Sequence, residues 1–230
     1  MKEQDDPSTE RFRILHAYAD VGVEDEVLHT FGQVVRIGWT PSPNPFSTVV
    51  RADARHPPVR KEFDLGVWHH PCGRWSRATP SRGDPETHPD DLARVRELAR
   101  DYCEHYILEN VPDAPLHDPV ELCGGQFGLP IYYARAFETS FPVPEPRGSG
   151  RGWTPGHGPL SEQGETGRAW VGTNEGWRLA KGYGHDWPAR ELKRHGIPAP
   201  FIRYLLYWWI AAREGETIPE QATLSEVGSA

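Results

Sequence analysis

"THPDDLARVRELARDYCEHYILENV", Thr87 to Val111, carries most of what decides the fold. Thr87 offers a capping hydroxyl and Pro89 a first-turn proline, so a helix is expected to start here. Leu92, Val95, Leu98, Ala99, Tyr102 and Tyr106 then recur at helical spacing, the pattern of one buried face. "YILENV", Tyr106 to Val111, returns to extended chain. Working outward, "FDLGVWHH" (63–70) and "QVVRIGW" (33–39) are nearly all-apolar runs, as expected of parallel strands covered on both faces. "RFRILHAYAD" (11–20) reads as a strand entering a turn. "VEDEVLHTFG" (23–32) follows as a short helix, with Val23, Val27, Leu28 and Phe31 on one face and Gly32 as a stop. Strand and helix alternate, so the fold class is α/β with a mostly parallel central sheet.

Beyond Pro142 the character changes. Gly, Pro and Trp dominate to about Gly184, and residues 142–184 are expected to be irregular, a possible site of target recognition. "APFIRYLLYWWIAARE" is the last helix, and a polar tail, 215–230, is expected to be disordered. Residues 1–214 read as a single domain, with no internal repeat.

Composition narrows the function classes. The chain has 230 residues and a net charge of -8, with 21 arginines against four lysines. Such a surface argues against indiscriminate nucleic-acid binding and leaves room for a local basic groove. Three cysteines, Cys72, Cys103 and Cys123, suggest no disulfide scaffold, which favours a reducing interior. "MKEQDDPSTE" has no apolar core of a signal peptide, and the longest greasy run, "YLLYWWIAA", is far below the roughly 20 residues a membrane span needs. A cytoplasmic protein, with no membrane partner, is expected.

In α/β sheets, ligands collect at the carboxyl ends of strands. Three tips carry reactive groups: "HAYADVG", "HHPCGRWS" and "ENVPDAPL". Cys72 and Glu109 are 37 residues apart but fall at the ends of neighbouring strands, a nucleophile-and-acid arrangement. Taken alone, a free cysteine such as Cys72 is more often a small core hydrophobe, and a strand-end carboxylate such as Glu109 more often a satisfied ion pair. A metal reading of His69, His70 and Cys72 is disfavoured, because adjacent residues on a strand face opposite ways. The nucleobase-deaminase signature fails too, since no second thiol follows Pro71-Cys72 at the required spacing. No metal is expected. Cys103 and His105 read as core and surface residues on a helix end.

Taken in order, these tips resemble the DNA (cytosine-5)-methyltransferases, in particular the short phage and archaeal forms. "HHPCGRWS" is similar to that family's Pro-Pro-Cys-Gln loop. "ILENVPDAPLHDPVELCGGQFGLPIYYARAFETSF" is similar to its Glu-Asn-Val motif with the downstream arginine segment. "GYGHDWPARELKRHGIPAPFIRYL" is similar to the C-terminal segment that closes the cofactor pocket. The resemblance covers about residues 11–210. It implies a Rossmann-like S-adenosylmethionine-dependent methyltransferase fold and an enzyme acting on double-stranded DNA, of the kind found in restriction-modification. A monomer is expected. The implied catalytic residues are Cys72 as nucleophile, Glu109 at cytosine N3, Asn110 shaping its loop, and Arg135 clamping a phosphate or the everted base. The implied S-adenosyl-L-methionine site comprises Tyr18, Gly22, Trp39 stacking on adenine, and Asp53 on its amino group. Arg74 is a candidate for lowering the thiol pKa.

The chain departs from the family pattern at the cofactor. The first glycine-rich turn is Tyr18-Ala19-Asp20-Val21-Gly22, with Asp20 where a glycine is usual; its Cβ is expected to crowd the cofactor, and its carboxylate to face the cofactor's carboxyl group. The acid that usually holds the ribose is Gly38. His70 and Gly73 replace a proline and the glutamine of the cysteine loop, and Tyr133 falls near a usual arginine. Two further readings stay open: a catalytically impaired methyltransferase-like protein serving as a DNA-binding or regulatory module, and a thiol enzyme with a histidine partner for Cys72.

Overall fold

The computed structural model describes residues 11–76, 79–81, 83–129, 131, 133–147, 174–194 and 196–222. The apolar run near the amino end forms β1 (Phe12–Ala17), and a turn leads to the one-turn helix α1 (Asp25–Leu28). Next come β2 (Gly32–Gly38), β3 (Thr48–Arg51) and β4 (Phe63–His69). Helix α2 (Leu92–Tyr102) runs directly into β5 (Cys103–Asn110), and β6 (Val120–Cys123) and β7 (Ala134–Thr139) complete the sheet. Among the described residues, the seven strands lie in the order β3-β2-β1-β4-β5-β7-β6. The first five are parallel and β7 runs antiparallel between β5 and β6. The parallel part has the strand order of a doubly wound nucleotide-binding sheet.

Alternation along each strand separates two cores. Ile14, Leu65, Val67, Ile107 and Phe137 face the layer made by α1 and the C-terminal helices α3 (Asn174–Lys181), α4 (Ala189–Arg194) and α5 (Ala199–Arg213). Leu15, Ala17, Trp68 and Leu108 face α2, whose Leu92, Val95, Leu98 and Ala99 are buried. On α5, Trp209 is fully buried against the edge of Phe12, with ring centroids 4.8 Å apart. Burial of an aromatic ring of that size stabilises the fold by about 2–3 kcal/mol. The C-terminal segment is fastened to the α1 region by two carboxylates. Glu26 accepts from the Gly184 and His185 amides and from Trp187 Nε1, and Glu24 accepts from Ile197 N at 2.6 Å.

Four sequence expectations need correction. The helix starts at Leu92, not near Thr87, because Pro85–Thr87 is a separate 3-10 turn capped by Asp84. Pro89 also disfavours helical backbone at His88. The same helix stops at Tyr102, and Tyr106 together with Cys103 and His105 belongs to β5; pairing with β4 extends the ladder back to Cys103. Within 142–184, Asn174–Lys181 is helical, with Trp177 and Ala180 buried three residues apart. In the expected tail, Gln221–Ala222 (β9) pairs with Glu145–Pro146 (β8), and Ala222 is fully buried. Residues 148–173 and 223–230, which carry the rest of those two expectations, lie outside the described residues. No helix among the described residues is long and apolar enough to cross a membrane.

Candidate active site

Register explains which side chains meet. His69 and Glu109 are partners across β4 and β5, so their side chains share a face. Glu109 is opposite Phe137 on antiparallel β7, and Arg135, two residues along, points the same way. The result is a carboxylate held from both sides: Glu109 Oε2 lies 2.9 Å from His69 Nδ1, and Glu109 Oε1 lies 3.0 Å from Arg135 Nε. Burial alone would raise the Glu109 pKa. The hydrogen bond from His69, its charge and those of Arg135 and Lys181 outweigh burial and draw it below the usual carboxylate range. His69 is moved upward for the matching reason: burial pulls it down, and Glu109 with the neighbouring acids more than offsets that. The Arg135 guanidinium also sits over the Tyr133 ring at 4.0 Å. Arg135 is thus seated on Glu109, where the resemblance implied a clamp on phosphate or base.

Asn110 is fully buried and works on the backbone. Its Nδ2 donates to His70 O at 3.1 Å, and its Oδ1 accepts from Val111 N at 2.8 Å, joining the tip of β5 to the cysteine loop. His70 faces the opposite side from His69 and pairs with Asp91, the residue preceding α2. Cys72 opens a tight turn, its carbonyl accepting from Trp75 N and Ser76 N. The residue is exposed, and its sulfur lies within electrostatic reach of both Glu109 and Arg135. Desolvation by surrounding protein and the charge of Glu109 raise the thiol pKa, while Arg135 opposes them. Arg74 does not have the role considered for it, because its guanidinium pairs with Glu86 and Asp90. The missing side chain of Gly73 is accounted for by His88: a Cβ there would fall 2.3 Å from the His88 ring.

The first turn is built without the usual glycines. Tyr18 takes a left-handed backbone, φ 60°, rare for a bulky residue, and Gly22 does the same at φ 66°. Gly22 has a second requirement, since a Cβ would fall 2.3 Å from Arg36 Cδ. Arg36, the lone charge in an apolar strand, is the brace that sequence reading missed. Its guanidinium donates to Ala19 O at 2.9 Å, Asp20 O at 2.6 Å and Ser42 O, and pairs with Asp25 at 3.0 Å.

The residues implied for S-adenosylmethionine line the same end of the sheet. Trp39, 57% exposed, follows β2, and Asp53 follows β3, where its carboxylate accepts from the Arg55 amide and guanidinium. The Tyr18 ring packs edge-on to His70, and burial, then the charges of Asp91 and Asp53, push its phenol well up. Asp20 turns toward the tip of β2 and accepts from Thr40 N at 2.9 Å. A Cβ on Gly38 would sit 2.4 Å from Asp20 Oδ1. The Asp20 carboxylate, delivered from the first turn, thus occupies the space that a side chain on Gly38 would enter; it turns onto the β2 tip, not into the first turn where it was expected to crowd a cofactor. The open face of Trp39 after β2, with the Asp20 carboxylate after β1 and the Asp53 carboxylate after β3 on either side, could hold an adenosine.

No protein-family model and no curated protein matches the sequence. Among solved structures, the chain is similar to a prophage-encoded E. coli protein assigned as a DNA modification methyltransferase, with 14% identity and a TM-score of 0.42 over 55% of this chain and 45% of that one. It is similar to the S. pombe Dnmt2 methyltransferase at 15% identity and a TM-score of 0.34, over 56% and 50% of the two chains. It is also similar to the glycopeptide N-methyltransferase MtfA solved with S-adenosylmethionine, at 15% identity and a TM-score of 0.32, over 60% and 62%. The matches span between 45% and 62% of those proteins' lengths. On the order and direction of its own strands, the chain has a Rossmann-like α/β fold with a mostly parallel central sheet.

Proposed function

We propose that the chain is a DNA cytosine C5 methyltransferase, using S-adenosylmethionine and a covalent adduct between Cys72 and an everted cytosine. One observation carries this reading: an exposed thiol from the β4 tip and a carboxyl from the β5 tip lie within electrostatic reach at the sheet end where ligands collect. Cytosine C5 becomes nucleophilic only after a thiolate adds at C6. Cys72 supplies the sulfur, and Asn110 fixes the loop that presents it. Glu109, ionised at rest, takes up the thiol proton and donates it to N3, which neutralises the charge that the addition pushes into the ring; loss of the C5 proton after methyl transfer breaks the C6–S bond and frees the thiol. In balance, one proton leaves Cys72 and one arrives at N3, so the charge of the pocket is unchanged. His69 and Arg135 keep the Glu109 carboxyl from swinging away between turnovers. When bound, S-adenosylmethionine supplies an electrophilic methyl group. Trp39, Asp53 and Asp20 would hold its adenosine. Double-stranded DNA is the substrate of this reading, with the base everted at a cost of a few kcal/mol.

The test is a trapping reaction. DNA containing 5-fluorocytosine, incubated with the chain and S-adenosylmethionine, should give a covalent complex stable to denaturation, and Cys72→Ala should abolish it. No adduct on a library of cytosine contexts would defeat the covalent mechanism. A second reading, an impaired methyltransferase-like DNA-binding module, is favoured by one observation: Asp20 already spends its carboxylate on Thr40. Calorimetry separates the two, because saturation by S-adenosylmethionine supports catalysis and its absence at millimolar ligand supports the module.

A further inference from the structure

Beneath the first turn lies a polar cluster that shares only His69 with the site of the proposed methyl transfer. His16 on β1, Glu24 just before α1, and His69 at the end of β4 each bring one ligand-type atom into a space where all three lie within 4.8 Å of one another. His16 and Glu24 are buried, at 0% and 3% exposure, and His16 Nε2 is 3.9 Å from Glu24 Oε2. The Nε2 atoms of His16 and His69 are both buried without a hydrogen-bond partner. Their Nδ1 atoms are engaged by carboxylates, His16 by Asp25 at 2.5 Å and His69 by Glu109 at 2.9 Å.

That arrangement fixes the tautomers. With Nδ1–H donating to a carboxylate, each neutral imidazole turns an Nε2 lone pair inward. In that neutral form two lone pairs and a carboxylate oxygen converge, and a cation takes the place that a proton on an imidazole would otherwise fill. A carboxylate behind each histidine is the outer support that metal-binding histidines use. The charges around the space agree. Asp25 and Glu109 flank it, with Arg36 paired to the first and Arg135 to the second, while Glu24 Oε2 faces His16 Nε2 at 3.9 Å and has no arginine or lysine ion-pair partner among the described residues. Lys181 reaches Glu109 electrostatically, and the Tyr183 phenol near Glu24 donates to Ile197 O.

We propose that His16, Glu24 and His69 bind one divalent first-row transition ion, with zinc as the reference ion. Two imidazole nitrogens and one carboxylate oxygen are a common set for such ions, with water completing the shell. Bonds of roughly 2.0–2.2 Å require the three side chains to draw in slightly from their present separation. The ion would fix His69, and through it the orientation of Glu109, so the site is a positioning device at the base of the pocket. It needs only the fold, and stands whether or not the chain methylates DNA.

The full chain, stripped with a chelator and returned to metal-free buffer, is titrated with cobalt(II) and then zinc(II). The expected result is one cobalt per chain, with visible ligand-field absorption, displacement by zinc, and a higher melting temperature with either ion. Glu24→Gln, which keeps the side-chain shape, should weaken affinity at least tenfold, and His16→Asn should do the same; Cys72→Ser should leave affinity and spectrum unchanged. Wild-type protein that gains neither absorption nor melting temperature at millimolar ion would overturn the site. So would equal affinity in Glu24→Gln, or a sulfur charge-transfer band lost in Cys72→Ser. The wild-type and Glu24→Gln measurements decide the matter even if His16→Asn does not fold.

Discussion

Gly38→Ala tests the placement of the Asp20 carboxylate beside Gly38. The added Cβ would lie 2.4 Å from Asp20 Oδ1, 3.1 Å from Asp20 Cα and 3.2 Å from the Ala19 carbonyl carbon. Restoring ordinary contact, near 3.4 Å, moves the carboxylate back by a full ångström and breaks its 2.9 Å bond from Thr40 N. Overpacking of this kind costs about 1–3 kcal/mol, and losing an exposed hydrogen bond adds about 0.5–1 kcal/mol. Gly38→Ala should therefore destabilise by about 2–3 kcal/mol, a fall of about 4–12 °C in melting temperature for a chain of this size. In an Asp20→Gly background the obstructing oxygen is gone and only tight backbone contacts remain, so the same substitution should cost under about 1 kcal/mol. Urea melts of the wild type, both single variants and the double variant give a coupling energy of about 1–2 kcal/mol. An identical cost for Gly38→Ala in both backgrounds would refute the placement of Asp20. The same set carries a ligand arm: Asp20→Gly alone should weaken S-adenosylmethionine about tenfold, because one of the carboxylates proposed to hold the adenosine has been removed.

Cys72 should be a sluggish thiol at neutral pH. Desolvation and Glu109 hold its pKa above the ordinary thiol value, so the rate of iodoacetamide alkylation should keep climbing as pH rises past the point where an ordinary cysteine levels off; Arg135→Ala, which removes the opposing charge, should slow it further at fixed pH. A profile that levels off below the ordinary thiol range would contradict this. Arg96 and Glu138, both buried, form a two-point ion pair at 2.6 and 2.8 Å, and Glu138 also accepts from His117 N. Burial raises the Glu138 pKa, and Arg96 with the His117 amide more than offsets it, leaving a net downward shift. The sign follows: the stabilisation is complete above the unfolded glutamate pKa and is lost as pH falls through the lower folded one. Glu138→Gln should cost about 3 kcal/mol at neutral pH by leaving Arg96 buried and unpaired, and acid denaturation curves should show the gap to wild type narrowing as pH falls through that range.

What the sequence made legible follows from how each feature is encoded. The strands β1, β2, β4 and β5 are apolar runs buried on both faces, and such runs identify themselves residue by residue. Cys72 and the Glu109-Asn110 pair were likewise readable, because each stands at the end of a strand whose neighbour could be inferred. The partners of those residues were not. His69 was set aside because His70 beside it faces the other way, and that objection is correct for adjacent positions: His70 does turn to Asp91 on the α2 side. It does not touch a set assembled across strands. Ala17 pairs with Trp68 and His16 with Val67, so His69, two residues past Val67, shares the face of His16; on the other side His69 is level with Glu109. Three residues separated by up to 53 positions thus meet through register alone, which no spacing in the sequence displays. A shift of one residue between β1 and β4 would send His69 to the α2 side and leave Glu109 without its imidazole. The functional face is therefore specified by apolar residues far from it. Leu65 and Val67, packed in the core that Ile14 and Ile107 share, hold the register that brings His69 to Glu109.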